Sequence, residues 1–146
     1  MGYIALKPSR QSVKDIEECC PSVVIVEDLH CTLAHFRTGP KISEEAKKNL
    51  QKIFDDHLTL KTNFGWPTTI KQLGTHDAKV WAVILDKHDF IKEMRNKALD
   101  VLSSDGIEVS LQWQYNPHIT LTSHPVIVFA QNIPEKIFFD QLVFVE

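Results

Sequence analysis

His30-Cys31-Thr32-Leu33 recurs in the second half of the chain as His118-Ile119-Thr120-Leu121. Both read H-x-T-L, and the stretches around them decide the fold. Side chains on a strand alternate between its faces, so residues i and i+2 point the same way. His30 and Thr32 then share one face, while Cys31 and Leu33 turn toward a core. The same division separates His118 and Thr120 from Ile119 and Leu121. Each motif is expected in a strand of its own. At this chain's residue frequencies, with seven histidines, two such matches arise by chance with a probability on the order of 10⁻³.

Outward from the motifs, residues 3–7 read as a strand stopped by Pro8, followed by a helix over 9–20 with Val13, Ile16 and Cys20 on one face and Ser12 with Asp15 as its capping signal. Val23 to Val26 and Leu29 to Phe36 are strand-like. Ser43-Glu44-Glu45 starts a second helix carrying Ala46, Leu50, Ile53 and Phe54. Strands are expected at 58–64, 68–73 and 80–85. A third helix over 89–104 spaces Ile91, Met94, Ala98 and Val101 helically, with Gly106 beyond its end. Strands at 107–111, 117–122 and 137–145 follow. This order predicts an α+β class: one domain over residues 1–146, built of two pseudo-symmetric lobes, each a small antiparallel sheet backed by helices, with a central cleft.

The 146 residues suffice for one core without a staple. A formal charge of −3 with dispersed Lys and Arg excludes the broad basic face of a protein that grips long duplexes, and suits a small nucleotide or short RNA. Cys19, Cys20 and Cys31 are expected as reduced thiols, because adjacent cysteines rarely meet disulfide geometry. No Cys/His pairs have zinc spacing, no apolar run is long enough to span a membrane, and the N-terminus lacks a signal-peptide core. Gly2 is a poor myristoylation site, with Leu at position 6. No obligate protein partner is evident.

Two imidazoles and two threonine hydroxyls facing one cleft suit phosphodiester cleavage. One neutral imidazole takes a proton from the attacking oxygen and the other, protonated, gives one to the leaving oxygen. The hydroxyls can bond the phosphoryl oxygens. Neither a metal nor a cofactor is required.

At these residues the chain resembles the 2H phosphoesterase superfamily, named for its two H-x-[ST] motifs; Asn116-Pro117-His118-Ile119-Thr120-Leu121 is close to that family's P-H-I-T-L. The resemblance implies catalytic positions for His30, Thr32, His118 and Thr120. It implies substrates among 2′,3′-cyclic phosphates, 2′,5′-oligoadenylates, RNA 3′ ends and cyclic oligonucleotides. The short chain, its opening Gly2-Tyr3-Ile4-Ala5-Leu6-Lys7 and the H-C-T-L first motif are similar to the compact phage anti-CBASS phosphodiesterases. That similarity implies cyclic oligonucleotide immune signals such as cGAMP as substrates. It also implies a role in viral immune evasion and a cytoplasmic location, the host's for a phage-encoded member. The alternatives are an RNA 2′,3′-cyclic or 2′,5′-oligonucleotide phosphodiesterase, a cyclic-nucleotide sponge without turnover, and an adaptor in which the motif pair is a coincidence.

A nucleotide site needs an aromatic platform. Tyr3, Tyr115 and Trp66 are the substrate-binding candidates, each weighed against plain packing, while Trp81 and Trp113 are expected in the core. Glu146 is expected as a solvated terminal acid. Strict alternation puts His35 on the face opposite His30, and His35, His57, His76, His88 and His124 are all expected to be solvent-facing or structural.

Overall fold

Among the described residues the elements run β1 (Gly2–Pro8), α1 (Arg10–Cys19), β2 (Cys31–Phe36), α2 (Glu44–Leu60), β3 (Phe64–Gly65), β4 (Pro67–Leu73), β5 (Val80–Leu85), α3 (Asp89–Ser104), β6 (His118–Thr122) and β7 (Ile137–Val145). The structure, a computed structural model, describes residues 1–21, 23–37, 39–75, 78–110, 114–123 and 131–146. His76, Trp113 and His124 lie outside the described residues.

The class is mixed α/β, with three helices and one antiparallel sheet in the order β3-β7-β1-β2-β6-β5-β4. One continuous sheet replaces the two separate sheets expected, and the two motif strands are neighbours at its middle. β1 is laddered along most of its length to β2 and β7, as is β5 to β4 and β6. β2 and β6, by contrast, share the single pair Cys31–Ile119 among the described residues. One residue, Trp66, separates edge strand β3 from the opposite edge strand β4. Two peptide steps span at most about 7 Å, so the two edges meet there and the sheet is curled.

The core fills one face of that sheet. Leu6, Cys31, Leu33, Phe36, Ile119, Leu121 and Phe139 meet Leu50 and Phe54 of α2, Ile91, Met94, Ala98 and Leu102 of α3, and Ile16 of α1. Each of the leucine, isoleucine, phenylalanine and methionine side chains among them contributes roughly 1.5–3 kcal/mol by leaving water. Spacings of three and four residues on the helices place these groups on one stripe.

Several boundaries depart from expectation for identifiable reasons. Ser9, not Ser12 with Asp15, caps α1: its hydroxyl accepts from the Ser12 amide. Ser43 caps α2 as expected, accepting from the Ala46 amide, with Glu44 and Glu45 in the first turn. The strand expected at 58–64 shrinks to Phe64–Gly65. Leu58 continues the apolar stripe of α2, and the helix ends only where Lys61 turns left-handed at φ 59°. Val23 to Val26 form no strand; the Val26 amide donates instead to the Leu121 carbonyl at 2.8 Å. Of 107–111, the described part makes one isolated bridge, Val109 to Phe36. Trp81 is half-buried rather than part of the core. The three cysteines are free and buried, with Cys19 and Cys20 sulfurs 3.5 Å apart. Among the described residues no helix is long and apolar enough to cross a membrane.

Candidate active site

The pairing of Cys31 with Ile119 sets the site. In an antiparallel ladder the residues flanking such a pair are also opposed, so Thr32 lies toward His118 and His30 toward Thr120. Cys31 and Ile119 are fully buried, whereas His30, Thr32, His118 and Thr120 are only partly covered. All four therefore emerge on the face away from the helices, on neighbouring strands.

The two histidines are held alike. His30 Nδ1 lies 3.0 Å from the Asp28 carbonyl oxygen, and His118 Nδ1 lies 2.8 Å from that of Asn116. A carbonyl oxygen only accepts, so Nδ1 carries the proton in both rings. Nε2 is then the basic nitrogen of each neutral imidazole. The partner is the residue two positions upstream in each motif, so the same local contact orients both rings.

Their surroundings differ in one ion pair. The Asp28 carboxylate lies 3.8 Å from His30 Nδ1 and 2.9 Å from Lys7 Nζ. The Lys7 hydrogen bond holds Asp28 below the usual carboxylate range. The residue at the corresponding position, two before His118, is the uncharged Asn116. Sequence reading missed Asp28, whose signal is its position two residues before the histidine.

Each motif strand also bulges directly after its threonine. Thr32 pairs with Ala5 but Ala34 with Ile4, leaving Leu33 as the extra residue. Thr120 pairs with Ala82 but Thr122 with Trp81, leaving Leu121 extra. In β2 the bulge reverses the alternation, so His35 pairs with Tyr3 and faces the same side as Thr32 and His30. The expectation that His35 points away from His30 is therefore corrected. The signal was present in the apolar residues 31, 33, 34 and 36, which slip phase between Leu33 and Ala34.

Tyr3 lies between these histidines. Its ring stacks on His30 at a centroid distance of 5.2 Å and 11°, and meets His35 edge-on at 6.1 Å. Ala5, next in the row beside Thr32, is fully buried. Partial burial pushes the His35 pKa down, and His30, His118 and Arg95 push it the same way.

Tyr115 is placed differently from an open platform. Its hydroxyl donates to the Thr32 carbonyl at 2.8 Å, its ring packs against the core, and the Arg95 guanidinium covers it at 4.2 Å. Burial, and then the Cys31 thiol, push its pKa up, which keeps that hydroxyl a donor. Arg95 Nη1 donates to the Leu33 carbonyl at 2.6 Å. Trp66 packs edge-on against Phe64 at 5.0 Å with Lys136 Nζ 5.1 Å from its ring. It stands beside Pro67, whose partner Leu85 is one residue beyond Ile84, the partner of His118.

A scan of protein-family models finds no match to this chain, and a search of curated proteins finds none either.

The other sites are plainer. His57 bonds Thr62 Oγ1 at 2.6 Å and Glu93 at 3.1 Å, tying α2 to α3, and exposed His88 pairs with Asp86. Glu146 is not simply solvated: it accepts from the Ile42 amide at 3.0 Å and pairs with Lys47. A hollow of about 600 Å³ lined by Asp86, Lys87, His88, Gln114 and Asn116 adjoins the segment leading into His118. A second, of about 680 Å³ between α1 and β7, contains none of the motif residues. Among the described residues no group of three His, Cys, Asp or Glu is placed to hold a metal ion.

Proposed function

We propose that this protein is a metal-independent phosphodiesterase of the two-histidine kind, cleaving 3′,5′ linkages of cyclic oligonucleotide signals, with His30, Thr32, His118 and Thr120 as its catalytic groups. The observation that carries this reading is the matched Nδ1–H bond of both histidines to the carbonyl two residues upstream. One such bond is ordinary for a structural histidine; the same bond at the same offset in both motifs is what supports a matched pair. A proton-transfer pair needs a fixed tautomer, with both basic nitrogens free for substrate. The two β-α-β units, β1-α1-β2 and β5-α3-β6, each end in a bulged H-x-T-L strand, which supports a pseudo-symmetric pair of lobes meeting at the Cys31–Ile119 seam.

In this mechanism His118 Nε2 takes the proton of the ribose 2′-OH, and the 2′ oxygen attacks the adjacent phosphorus. The P–O5′ bond breaks as His30 Nε2 gives its proton to the departing O5′. The product carries a 2′,3′-cyclic phosphate. Water then opens it, with His30 now the base and His118 the acid. His30 is given the first acid role because the Asp28 carboxylate, 3.8 Å from its Nδ1, is placed to face an imidazolium there. Thr32 and Thr120 donate to the phosphoryl oxygens, where a charged acceptor strengthens the bond.

The test is turnover in EDTA of a 3′,3′-cyclic dinucleotide, a cyclic trinucleotide, 2′,5′-oligoadenylate and an RNA ending in a 2′,3′-cyclic phosphate. Products are read by mass beside a His30→Ala, His118→Ala variant. Cleavage of the cyclic oligonucleotides, lost in the variant, is the expected result. Cleavage of the RNA end alone moves the activity to RNA processing. Tight binding without turnover makes the protein a sponge.

A further inference from the structure

We propose that His35 is a substrate-binding residue that contacts the nucleoside on the O5′ side of the scissile phosphate, the one a nucleoside 3′-monophosphate lacks, so that the cleft is built for a substrate of at least two nucleotides. This rests on the phosphodiesterase reading, which supplies the phosphate held between the motif strands.

The case begins with the bulge. Without the extra residue Leu33, His35 would point into the helix-covered face, where Leu33, Ala34 and Phe36 are now buried. The bulge turns it to the side of His30 and Thr32, and a bulge disrupts the ladder locally, so its carbonyls need other donors. Two side chains supply them: the Tyr115 hydroxyl to Thr32 and the Arg95 guanidinium to Leu33, the second reaching from α3. A distortion held by donors from two other segments is a designed placement of the residue beyond it.

Position and chemistry then name the ligand. His35 is three residues along the strand from Thr32, a distance of roughly 7–10 Å with one residue absorbed by the bulge. A group held there meets the neighbouring nucleoside, not the phosphate. The His35 ring is exposed, and Tyr3 screens its side toward His30. The nearby imidazoles and the Arg95 cation favour its neutral form. A neutral imidazole donates at one nitrogen and accepts at the other, which suits a base edge or ribose hydroxyl.

The experiment compares wild type, His35→Ala and His35→Asn by calorimetry with two probes: a linear 2′-deoxy dinucleotide, which the proposed chemistry leaves intact, and a nucleoside 3′-monophosphate. Turnover of the matching ribodinucleotide and Tm are measured alongside. For His35→Ala we expect about a five- to tenfold weaker Kd for the dinucleotide, the loss of one hydrogen bond. Its Kd for the mononucleotide and its Tm should be unchanged, its KM raised with kcat kept, and His35→Asn should recover part of the affinity. Equal weakening of both probes, or no weakening of either, overturns the inference. Absence of wild-type turnover with the expected binding pattern sinks the catalytic reading but upholds the contact by His35. Failure of wild type to bind the dinucleotide sinks the inference itself.

Discussion

Tyr115→Phe removes one hydroxyl and leaves the ring, so its effect isolates the bond to Thr32. The ring packs against the core under Arg95, and no cavity opens when only the oxygen is lost. The change removes the hydroxyl donor to the Thr32 carbonyl, next to the bulge. The bond is only part-buried, so losing one partner costs about 1 kcal/mol, the low end for a group left desolvated. For 146 residues the unfolding entropy near Tm is roughly 0.3 kcal/mol/K, so Tm should fall by about 3 °C. Differential scanning calorimetry reads this directly. Turnover should fall as well, because Thr32 is no longer held, and the loss should appear in kcat. A base-stacking platform behaves otherwise: Phe stacks as well as Tyr, so both Tm and kcat would hold. An unchanged Tm would refute the positioning role assigned to Tyr115.

Asp28→Asn removes the carboxylate facing His30 but keeps the backbone carbonyl bond. Turnover should fall by no more than about fivefold, because the carboxylate is largely exposed and screened; a rate identical to wild type would remove Asp28 from the site. Cys31 is fully buried and its pKa is pushed up to about 12 by that burial, against 9.0 unperturbed. The folded state therefore keeps a proton that the unfolded state loses, so stability is complete below pH 9 and falls toward pH 12, by about 1 kcal/mol per pH unit from this group. Urea titrations between pH 8 and 11 should show that slope, and Cys31→Val should reduce it. Gly2 packs where an added Cβ would sit 2.7 Å from the Val145 carbonyl oxygen and against the Phe36 ring. Gly2→Ala should lower Tm by several degrees; an unchanged Tm would show that β1 can shift without cost.

Much of this molecule was legible in its residues. The third helix and the strands at 80–85 and 137–145 follow from apolar spacing and flanking breakers, because each buries a periodic face whichever neighbour it meets. The H-x-T-L pair and the emergence of its four polar residues on one face follow from strand alternation alone. What the residues did not disclose depends on partners distant in sequence. A bulge is a mismatch between two strands, so the turn of His35 toward His30 required the register of β1 against β2. Tyr115 reads equally as platform or prop until the Thr32 carbonyl, 83 residues away, is placed beside its hydroxyl. The sequence by itself determined which groups face away from the core. Only the tertiary structure decided which of them meet, because strand order and register are set by packing across the whole sheet.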